Sequence, residues 1–278
     1  MSLLSMSDAD LLNLCRAMRI TPLAERFIEL ASTSEFMADQ ISGRELVSEL
    51  VCALRDSRES HRIQEALKEL GLPGGRLSIE DMNFRDRKGL SRPQMMELLS
   101  CNYIRARCPL ILTGGTGIGK RWISSLLCTA AVMERFRCRF KRVSEILAEF
   151  EGLDGLALRE ECRRYGACDL VVLLKLGEPG LDAAQARMMA ELFNEILGKC
   201  AVIIASQIDP DDWAERCFGN RIEMHSALDY LHAHAQVFHL TGGSLRPLYA
   251  PSAPDLPSGG KPGSEGSSQA DIAGAPNG

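Results

Sequence analysis

The stretch Pro109-Leu-Ile-Leu-Thr-Gly-Gly-Thr-Gly-Ile-Gly-Lys120 decides the fold expected for this chain of 278 residues. It joins a short apolar run to the pattern G-x-x-x-x-G-K, whose glycines let backbone N–H groups turn inward around phosphate oxygens. The residues that follow predict a helix, and its positive N-terminal end would face the same phosphates. Four apolar residues would form the inward face of this helix: Ile123, Leu126, Leu127 and Ala130.

A strand, a glycine-rich loop and a helix in this order predict a phosphate-binding loop, in which Lys120 would reach the β- and γ-phosphates of a nucleotide. The alternative is a glycine-rich turn that binds nothing. The predicted nucleotide site is the loop with the residue after it: Gly114, Gly115, Thr116, Gly117, Ile118, Gly119, Lys120 and Arg121.

Short apolar runs and helical stretches alternate around this loop. Further strands are predicted within 136–143, 169–174, 200–205 and 237–240, and helices within 120–135, 144–150, 181–197 and 222–232. The runs at 169–174 and 200–205 are continuously apolar, which is typical of strands buried on both faces. Strands separated by helices predict an α/β core with a parallel sheet.

The chain divides into three parts by its patterning. Residues 1–88 are predicted as a small helical domain, with helices after Ser7-Asp8, from Pro22 to Leu30 and from Ser42 to Leu70. Residues 89–248 are predicted as the α/β core. Residues 249–278 are predicted to be a disordered tail, because the stretch from Pro251 contains five Pro, six Gly and five Ser and few large apolar groups.

Composition excludes several classes of protein. Hydrophobic residues make up 45% and charged residues 25%, as in an ordinary soluble globular protein. No apolar run is long enough for a membrane span, and the N-terminus lacks the features of a signal peptide. Ten cysteines occur without any C-x-x-C pair, which indicates reduced thiols and a cytoplasmic location. The net charge of −5 restricts any nucleic-acid contact to a local patch.

Beyond the loop, the chain resembles the IstB-like ATP-binding proteins, which are transposition helpers related to DnaC-type helicase loaders within the AAA+ class. The resemblance extends over about residues 10–246 and includes the segment 84–104, the loop, Ile203-Ile-Ala-Ser-Gln207 and the run from Asp229-Tyr-Leu to Arg246. It implies a helical N-terminal domain before an AAA+ core, ATP binding, oligomerisation, and action on DNA with a transposase or a replicative helicase. Ser206 would take the family's sensor position.

Three chemical positions depart from the family pattern. Arg121 follows the loop lysine, where a Ser or Thr would bind Mg²⁺. Leu174 and Lys175 stand where the second motif strand, the Walker B strand, should end in two acidic residues. Tyr230 stands where the family has a candidate arginine finger. Because phosphoryl transfer depends on Mg²⁺ and an arginine finger, these changes predict weak or absent ATP hydrolysis.

Two alternatives concern these positions. Asp169 cannot replace the missing acids, because it opens the strand at the end opposite the loop. Glu178 would supply a carboxylate only if the alignment were shifted by one or two residues, and it is expected in the turn beyond Gly177.

The signals for nucleic-acid binding are weak. The predicted helix 44–69 has five basic and six acidic residues, which indicates a solvated helix carrying i,i+4 ion pairs. A denser basic cluster consists of Arg135, Arg137, Arg139, Lys141 and Arg142, interleaved with Phe136, Cys138 and Phe140. It would track a phosphate backbone, or it is the wet face of an edge strand. DNA binding is therefore expected to be weak and salt-sensitive.

Neither a metal site nor a hydrolase triad is predicted. His225, His232, His234 and His239 lie close together in sequence, but their spacing does not place metal ligands on one face and no Cys or carboxylate completes a set. Ser206 lacks the glycines of a nucleophile elbow.

Three functional classes follow from the sequence. The first is a nucleotide-binding IstB-like pseudo-ATPase, the second an active DNA-stimulated ATPase, and the third a non-functional transposon remnant. The expected ligand is ATP or ADP, bound without Mg²⁺, with Arg121 and Lys175 both neutralising the phosphates. The competing outcome is a nucleotide-free scaffold, in which these cations repel the metal or turn to solvent, toward Glu178, and the loop stays empty.

Overall fold

The computed structural model describes residues 7–33, 41–73, 77–82, 84, 89–178 and 180–242. The chain begins with helices α1 (Asp8–Ala17), α2 (Thr21–Ala31) and α3 (Gly43–Glu69). Their starts follow the sequence signals. The Ser7 hydroxyl accepts a hydrogen bond from the backbone N–H of Asp10 and so caps α1. Ser42 and Glu45 form a capping box at the start of α3. The three predicted N-terminal helices are confirmed.

The core contains five parallel strands with helices between them. The strands are β1 (Leu110–Gly114), β2 (Cys138–Arg142), β3 (Leu170–Leu176), β4 (Ala201–Ser206) and β5 (Gln236–Leu240). Two short helices precede β1: α4 (Arg92–Leu99) and α5 (Asn102–Arg105). The remaining helices are α6 (Lys120–Met133), α7 (Val143–Phe150), α8 (Gly155–Gly166), α9 (Ala183–Ile196) and α10 (His225–His234).

The strands pair in the order β2-β3-β4-β1-β5. All four pairings are parallel, so the carboxyl ends of the strands lie along one edge of the sheet. The loop strand β1 and the second motif strand β3 are not neighbours, because β4 lies between them. The edge of the sheet that holds the loop therefore also carries the end of β4, at Ser206 and Gln207.

Apolar side chains fill both faces of the sheet. One face packs with α6 and the end of α3, and its buried residues include Leu112, Val172 and Leu67. The other face packs with α7, α9 and α10, and its buried residues include Ile111 and Val171. This two-sided burial is what the continuous apolar strands predicted.

Most predicted core elements are confirmed, but three helices were not predicted. They are the short α4 and α5 before β1 and α8 (Gly155–Gly166), whose many charged residues leave only a narrow apolar stripe. The strand β3 extends two residues beyond its predicted end, to Leu176. The last helix begins at His225, after a single 3₁₀ turn at Ile222–Met224. The tail from 249 lies outside the described residues, and the predicted division into 1–88, 89–248 and 249–278 stays a prediction.

Two further observations concern the chain as a whole. Within the described ranges, no helix combines the length and apolar character needed to cross a lipid bilayer. All ten cysteines are free thiols, and six of them are buried. Burial raises the pKa of several of these thiols, for example that of Cys101 to about 11, which keeps them protonated and unreactive.

Candidate nucleotide site

The glycine-rich loop joins β1 to α6, as the sequence predicted. Gly114, Gly117 and Gly119 have φ angles of 133°, 81° and 96°, which lie in the region that favours glycine. A Cβ on Gly114 would lie 2.1 Å from the backbone oxygen of Leu240, so this glycine also allows β5 to pass closely behind the loop. Gly115 and Thr116 are exposed to solvent. The loop thus presents its backbone at the start of a helix of 14 residues.

Lys120 is the first residue of α6 and folds back over the loop. Its Nζ donates hydrogen bonds to the backbone oxygens of Gly114, at 2.6 Å, and Gly115, at 2.9 Å. Burial lowers the pKa of this ammonium group below its usual value, and the charge of Glu178 partly opposes that shift. The lysine is therefore held at the phosphate position by the loop itself, with one carboxylate near it.

The end of β4 contacts the loop through Gln207. The Thr116 hydroxyl donates a hydrogen bond to Oε1 of Gln207 at 2.6 Å. The neighbouring Ser206, the predicted sensor residue, is fully buried. Its hydroxyl donates to the backbone oxygen of Leu176 at 2.8 Å and accepts from the backbone N–H of Ile208 at 3.0 Å. Ser206 therefore joins β3 to β4, and Gln207 is the residue of this segment that contacts the loop; the sensor role of Ser206 stays a prediction.

The end of β3 carries no acidic side chain, and its backbone is irregular. Leu174 is buried in the core at 4% exposure. The pairing with β4 shifts between Leu174 and Leu176, and Lys175 in this bulge has a φ of 62°. Its Nζ lies 3.8 Å from Oε2 of Glu178, which follows Gly177 in the next turn as expected. The two residues predicted to replace the family's acids are thus a buried leucine and a lysine paired with Glu178, and the replacement itself stays a prediction.

Asp169 lies at the opposite end of β3, as predicted. Its Oδ2 accepts a hydrogen bond from the backbone N–H of Arg137 at 2.7 Å, which joins the starts of β2 and β3. This carboxylate is therefore used in the sheet, at the edge away from the loop.

Arg121 and Lys175 do not face one another, which corrects the sequence-based expectation. Arg121 is exposed and lines a cleft of about 240 Å³ with Leu174 and Glu145. Lys175 lines a different cavity, on the face of the sheet that packs with α7 and α9. Strand alternation is the physical reason, since Leu174 packs on the face of the sheet that carries α6 and the next side chain faces the α7 and α9 side.

Tyr230, at the position of the candidate arginine finger, lies on α10. Its ring stacks on that of His234, with centroids 4.3 Å apart, and its hydroxyl lies near Gly198 in the turn before β4. This is the amino end of β4, so within one chain Tyr230 lies at the sheet edge opposite the loop.

The basic cluster on β2 is largely matched by acidic and aromatic partners. Strand β2 is an edge strand, as one of the two interpretations required. The pairs are Arg135 with Glu59, Arg137 with Asp169, Lys141 with Glu149 and Arg142 with Glu145, while Arg139 lies over the ring of Tyr165. On α3, the pair Arg62–Glu59 is spaced i,i+3, whereas i,i+4 pairs were expected. The expectation of weak DNA binding stays a prediction.

The histidines form separate contacts. His232 lies 3.8 Å from Asp211, and His239 lies 3.3 Å from Asp209 and 3.0 Å from the Thr113 hydroxyl. Across the part of the chain that is described, no group of three or more His, Cys, Asp or Glu side chains is arranged to hold a metal ion.

The strand order, the glycine loop after β1 and its lysine define a P-loop protein with an AAA+ type of core. Among solved structures, this fold is shared with the crystal structure of DnaI. The TM-score is 0.50 at 15% identity, and the match covers 67% of this chain and 98% of that one.

The family pattern described as IstB-like ATP binding protein matches residues 14–249, and the chain belongs to this family. Protein y4pL of Sinorhizobium fredii, named for ATP binding in an insertion sequence, is 28% identical over 82% of this chain and 92% of its own length. An ATP-binding protein named for insertion sequence IS21 of Pseudomonas aeruginosa is 24% identical over 76% of this chain and 82% of its own length.

Proposed function

We propose that this chain is an insertion-sequence helper protein that binds ATP at the loop 114–120 and hydrolyses it slowly or not at all. Family membership and the names of its relatives support ATP binding. The end of β3 supports slow or absent hydrolysis, because Leu174 is buried and Lys175 lies in a bulge beside Glu178. A transposase or a replicative helicase is the proposed partner.

Phosphate binding would use groups that this chain already orients. The exposed backbone at Gly115 and Thr116 would donate N–H groups to the phosphate oxygens, and Lys120 would exchange its carbonyl contacts for them. Arg121 forms no ion pair among the described residues and offers a forked contact at the first turn of α6. These cations would neutralise the phosphates without a metal.

The residues near the loop fit the phosphates better than they fit Mg²⁺. In a P-loop site the metal is held by a hydroxyl after the loop lysine and by a carboxylate at the end of the second strand. Here those positions are Arg121, Leu174 and Lys175. Two cations and an apolar side chain would leave the metal without protein oxygen ligands at these positions.

The test of this proposal is steady-state ATP turnover of the full chain with Mg²⁺, in the absence and presence of duplex DNA. We expect no turnover above that of a Lys120→Ala variant under either condition. Turnover that depends on Lys120 and rises with DNA would contradict the proposal and restore an active ATPase.

A second candidate function rests on one observation. Glu178 is the carboxylate whose charge acts on Lys120, so an oxygen ligand is present near the loop although the motif positions lack one. In this alternative, the protein is an active ATPase in which Glu178 replaces the missing acids. Loss of turnover in Glu178→Gln would identify it, provided that the wild-type chain hydrolyses ATP.

A further inference from the structure

A cavity lies between α7 and α9, close to the end of β3. Its volume is about 360 Å³, at the lower end of the range for ligand pockets. Four apolar side chains line it: Val143, Leu147, Leu181 and Met188. Ala148 on α7 and Ala184 on α9 are exposed and line it as well. We refer to it as the α7–α9 cavity.

The charges around the α7–α9 cavity are not balanced. Three carboxylates line it, those of Glu151, Glu178 and Asp182, against the single ammonium group of Lys175. Lys175 pairs with Glu178 at 3.8 Å. The Asp182 carboxylate caps α9 by accepting a hydrogen bond from the backbone N–H of Gln185 at 2.8 Å. Among the described residues, Glu151 and Asp182 lie within 4 Å of no basic side chain.

Apolar side chains next to carboxylates without basic partners are complementary to a side chain that carries a positive charge at the end of an aliphatic chain. Lysine and arginine side chains bury their methylene groups on apolar surface and keep the charged end in a polar environment. The cavity is too small for a folded domain but large enough for one or two side chains of an approaching segment. A small anion or a nucleic-acid backbone would be repelled by the excess of negative charge.

We propose that the α7–α9 cavity is a docking site for a segment of a partner protein that presents an arginine or lysine next to an apolar residue. The carboxylates of Glu151 and Asp182 would receive the cation, and the apolar residue would contact Leu147 and Met188. The cavity shares Lys175 and Glu178 with the end of β3, but the two carboxylates proposed to receive the cation, Glu151 and Asp182, take no part in the proposed nucleotide site.

The experiment selects peptides from a random twelve-residue phage-displayed library on the immobilised full chain. Enriched peptides are then synthesised with a fluorescent label and titrated in solution by anisotropy. The matched pair of variants is Ala184→Trp, which would fill the cavity, and Ala183→Trp. Ala183 is the exposed neighbour on α9 that does not line the cavity, so it controls for the added indole.

We expect the enriched peptides to contain Arg or Lys beside apolar residues and to bind the wild type and Ala183→Trp equally. Affinity should fall by about tenfold or more in Ala184→Trp, because the indole fills the cavity. It should fall by a similar factor in Glu151→Lys, because the charge pair at the docking site is then broken. The exposed charge reversal Glu160→Lys on α8 is the control for Glu151→Lys.

Three results would overturn the proposal. One is that no peptide is enriched, and another is that the enriched peptides lack a cationic bias. The third is that they bind Ala184→Trp as tightly as the wild type. Self-association of the chain that Ala184→Trp abolishes would instead identify a second copy as the occupant and would also contradict the proposed partner. Circular dichroism of each variant establishes that it is folded before it is compared.

Discussion

The loop after β1 and the end of β3 are the two parts of the proposed nucleotide site, and they differ in how closely their residues match the family pattern. The loop keeps its glycines, its lysine and a helix that begins at that lysine. The end of β3 has a buried leucine and a bulged lysine, at the positions where we predict that the family pattern has acids. Phosphate binding and metal binding are separable tasks, and the proposal is that this chain keeps only the first.

The largest effect expected from this comparison is on nucleotide affinity. Replacing Lys120 with alanine removes the ammonium group that would exchange its hydrogen bonds to the Gly114 and Gly115 carbonyls for charge-assisted hydrogen bonds to the phosphates. We expect the affinity for ATP to fall by about a hundredfold, since such bonds contribute about 1.5–3 kcal/mol each. Isothermal titration calorimetry measures this loss.

The matched control is Lys199→Ala, which removes an exposed lysine paired with Glu195 at 2.7 Å and far from the loop in sequence. It should bind ATP like the wild type. Equal affinities of Lys120→Ala and the wild type would show that the loop 114–120 does not bind the nucleotide through its lysine.

The next largest effect is on folding stability, and it concerns the close approach of β5 to the loop at Gly114. Gly114→Ala would place a Cβ 2.1 Å from the backbone oxygen of Leu240 at a φ of 133°. We expect the free energy of unfolding to fall by about 2 kcal/mol or more, because both the contact and the backbone conformation are unfavourable. Denaturant titration measures the change.

Gly115→Ala is the control within the same loop, because a Cβ there meets no atom within 4 Å. It should change the free energy of unfolding by less than about 0.5 kcal/mol, as a surface substitution does. Similar losses at both positions would mean that β5 does not fix the position of the loop.

The sequence alone predicted the loop half of this comparison well and the β3 half only in part. Glycines and a lysine at fixed spacing define a loop by local geometry, so the order of residues is sufficient. The absence of an acidic side chain at Leu174 and Lys175 is visible in the sequence, and its consequence for metal binding stays a prediction. The bulge at Lys175 was not, because a change of pairing between β3 and β4 leaves no local pattern in the chain.

The sequence has the same limit at the end of β4, where Ser206 is the predicted sensor residue. The order of the strands places the end of β4 beside the loop, but strand alternation decides which residue faces it. Ser206 is turned into the sheet and bonds to the backbone of Leu176, while Gln207 reaches Thr116. A family pattern identifies the segment, and only the three-dimensional arrangement separates two adjacent polar residues.

A third prediction uses the pKa of Lys120. Burial lowers this pKa below the usual 10.5, so the ammonium group loses its proton at a lower pH than an exposed lysine. Since phosphate binding needs the charged form, affinity for ATP should fall by up to about tenfold per pH unit above that pKa. Titrations between pH 7 and 10 measure the profile.

The variant Lys120→Arg is the control for this profile, because a guanidinium stays charged throughout the range and should flatten it. The folding stability of the free protein changes with pH in the opposite direction to the ATP affinity. Between the lowered folded pKa and the unfolded pKa, the unfolded state binds more protons, so the contribution of Lys120 to the free energy of unfolding rises with pH. An affinity profile that is identical for lysine and arginine would exclude Lys120 as the titrating group.

The smallest expected effect concerns the bulge at the end of β3. Lys175 has a φ of 62°, a conformation that asparagine tolerates better than other side chains with a Cβ. We expect Lys175→Asn to raise the free energy of unfolding by about 1 kcal/mol. The lost pair joins an exposed lysine to the half-buried Glu178 at 3.8 Å, a long separation at which the pair contributes little.

Lys175→Ala separates the two causes, because it removes the pair without relieving the backbone. Denaturant titration should place it at or slightly below the wild type. If alanine and asparagine gave the same stability, the backbone conformation of Lys175 would carry no strain.

The central claim, that the loop binds ATP while the end of β3 holds no metal, is tested most directly by one calorimetric comparison. ATP is titrated into the full chain once in EDTA and once in excess Mg²⁺. The account predicts binding in EDTA, with an affinity that Mg²⁺ does not increase. Binding seen only in the presence of Mg²⁺ would contradict it, because a metal site would then exist that Arg121, Leu174 and Lys175 do not provide.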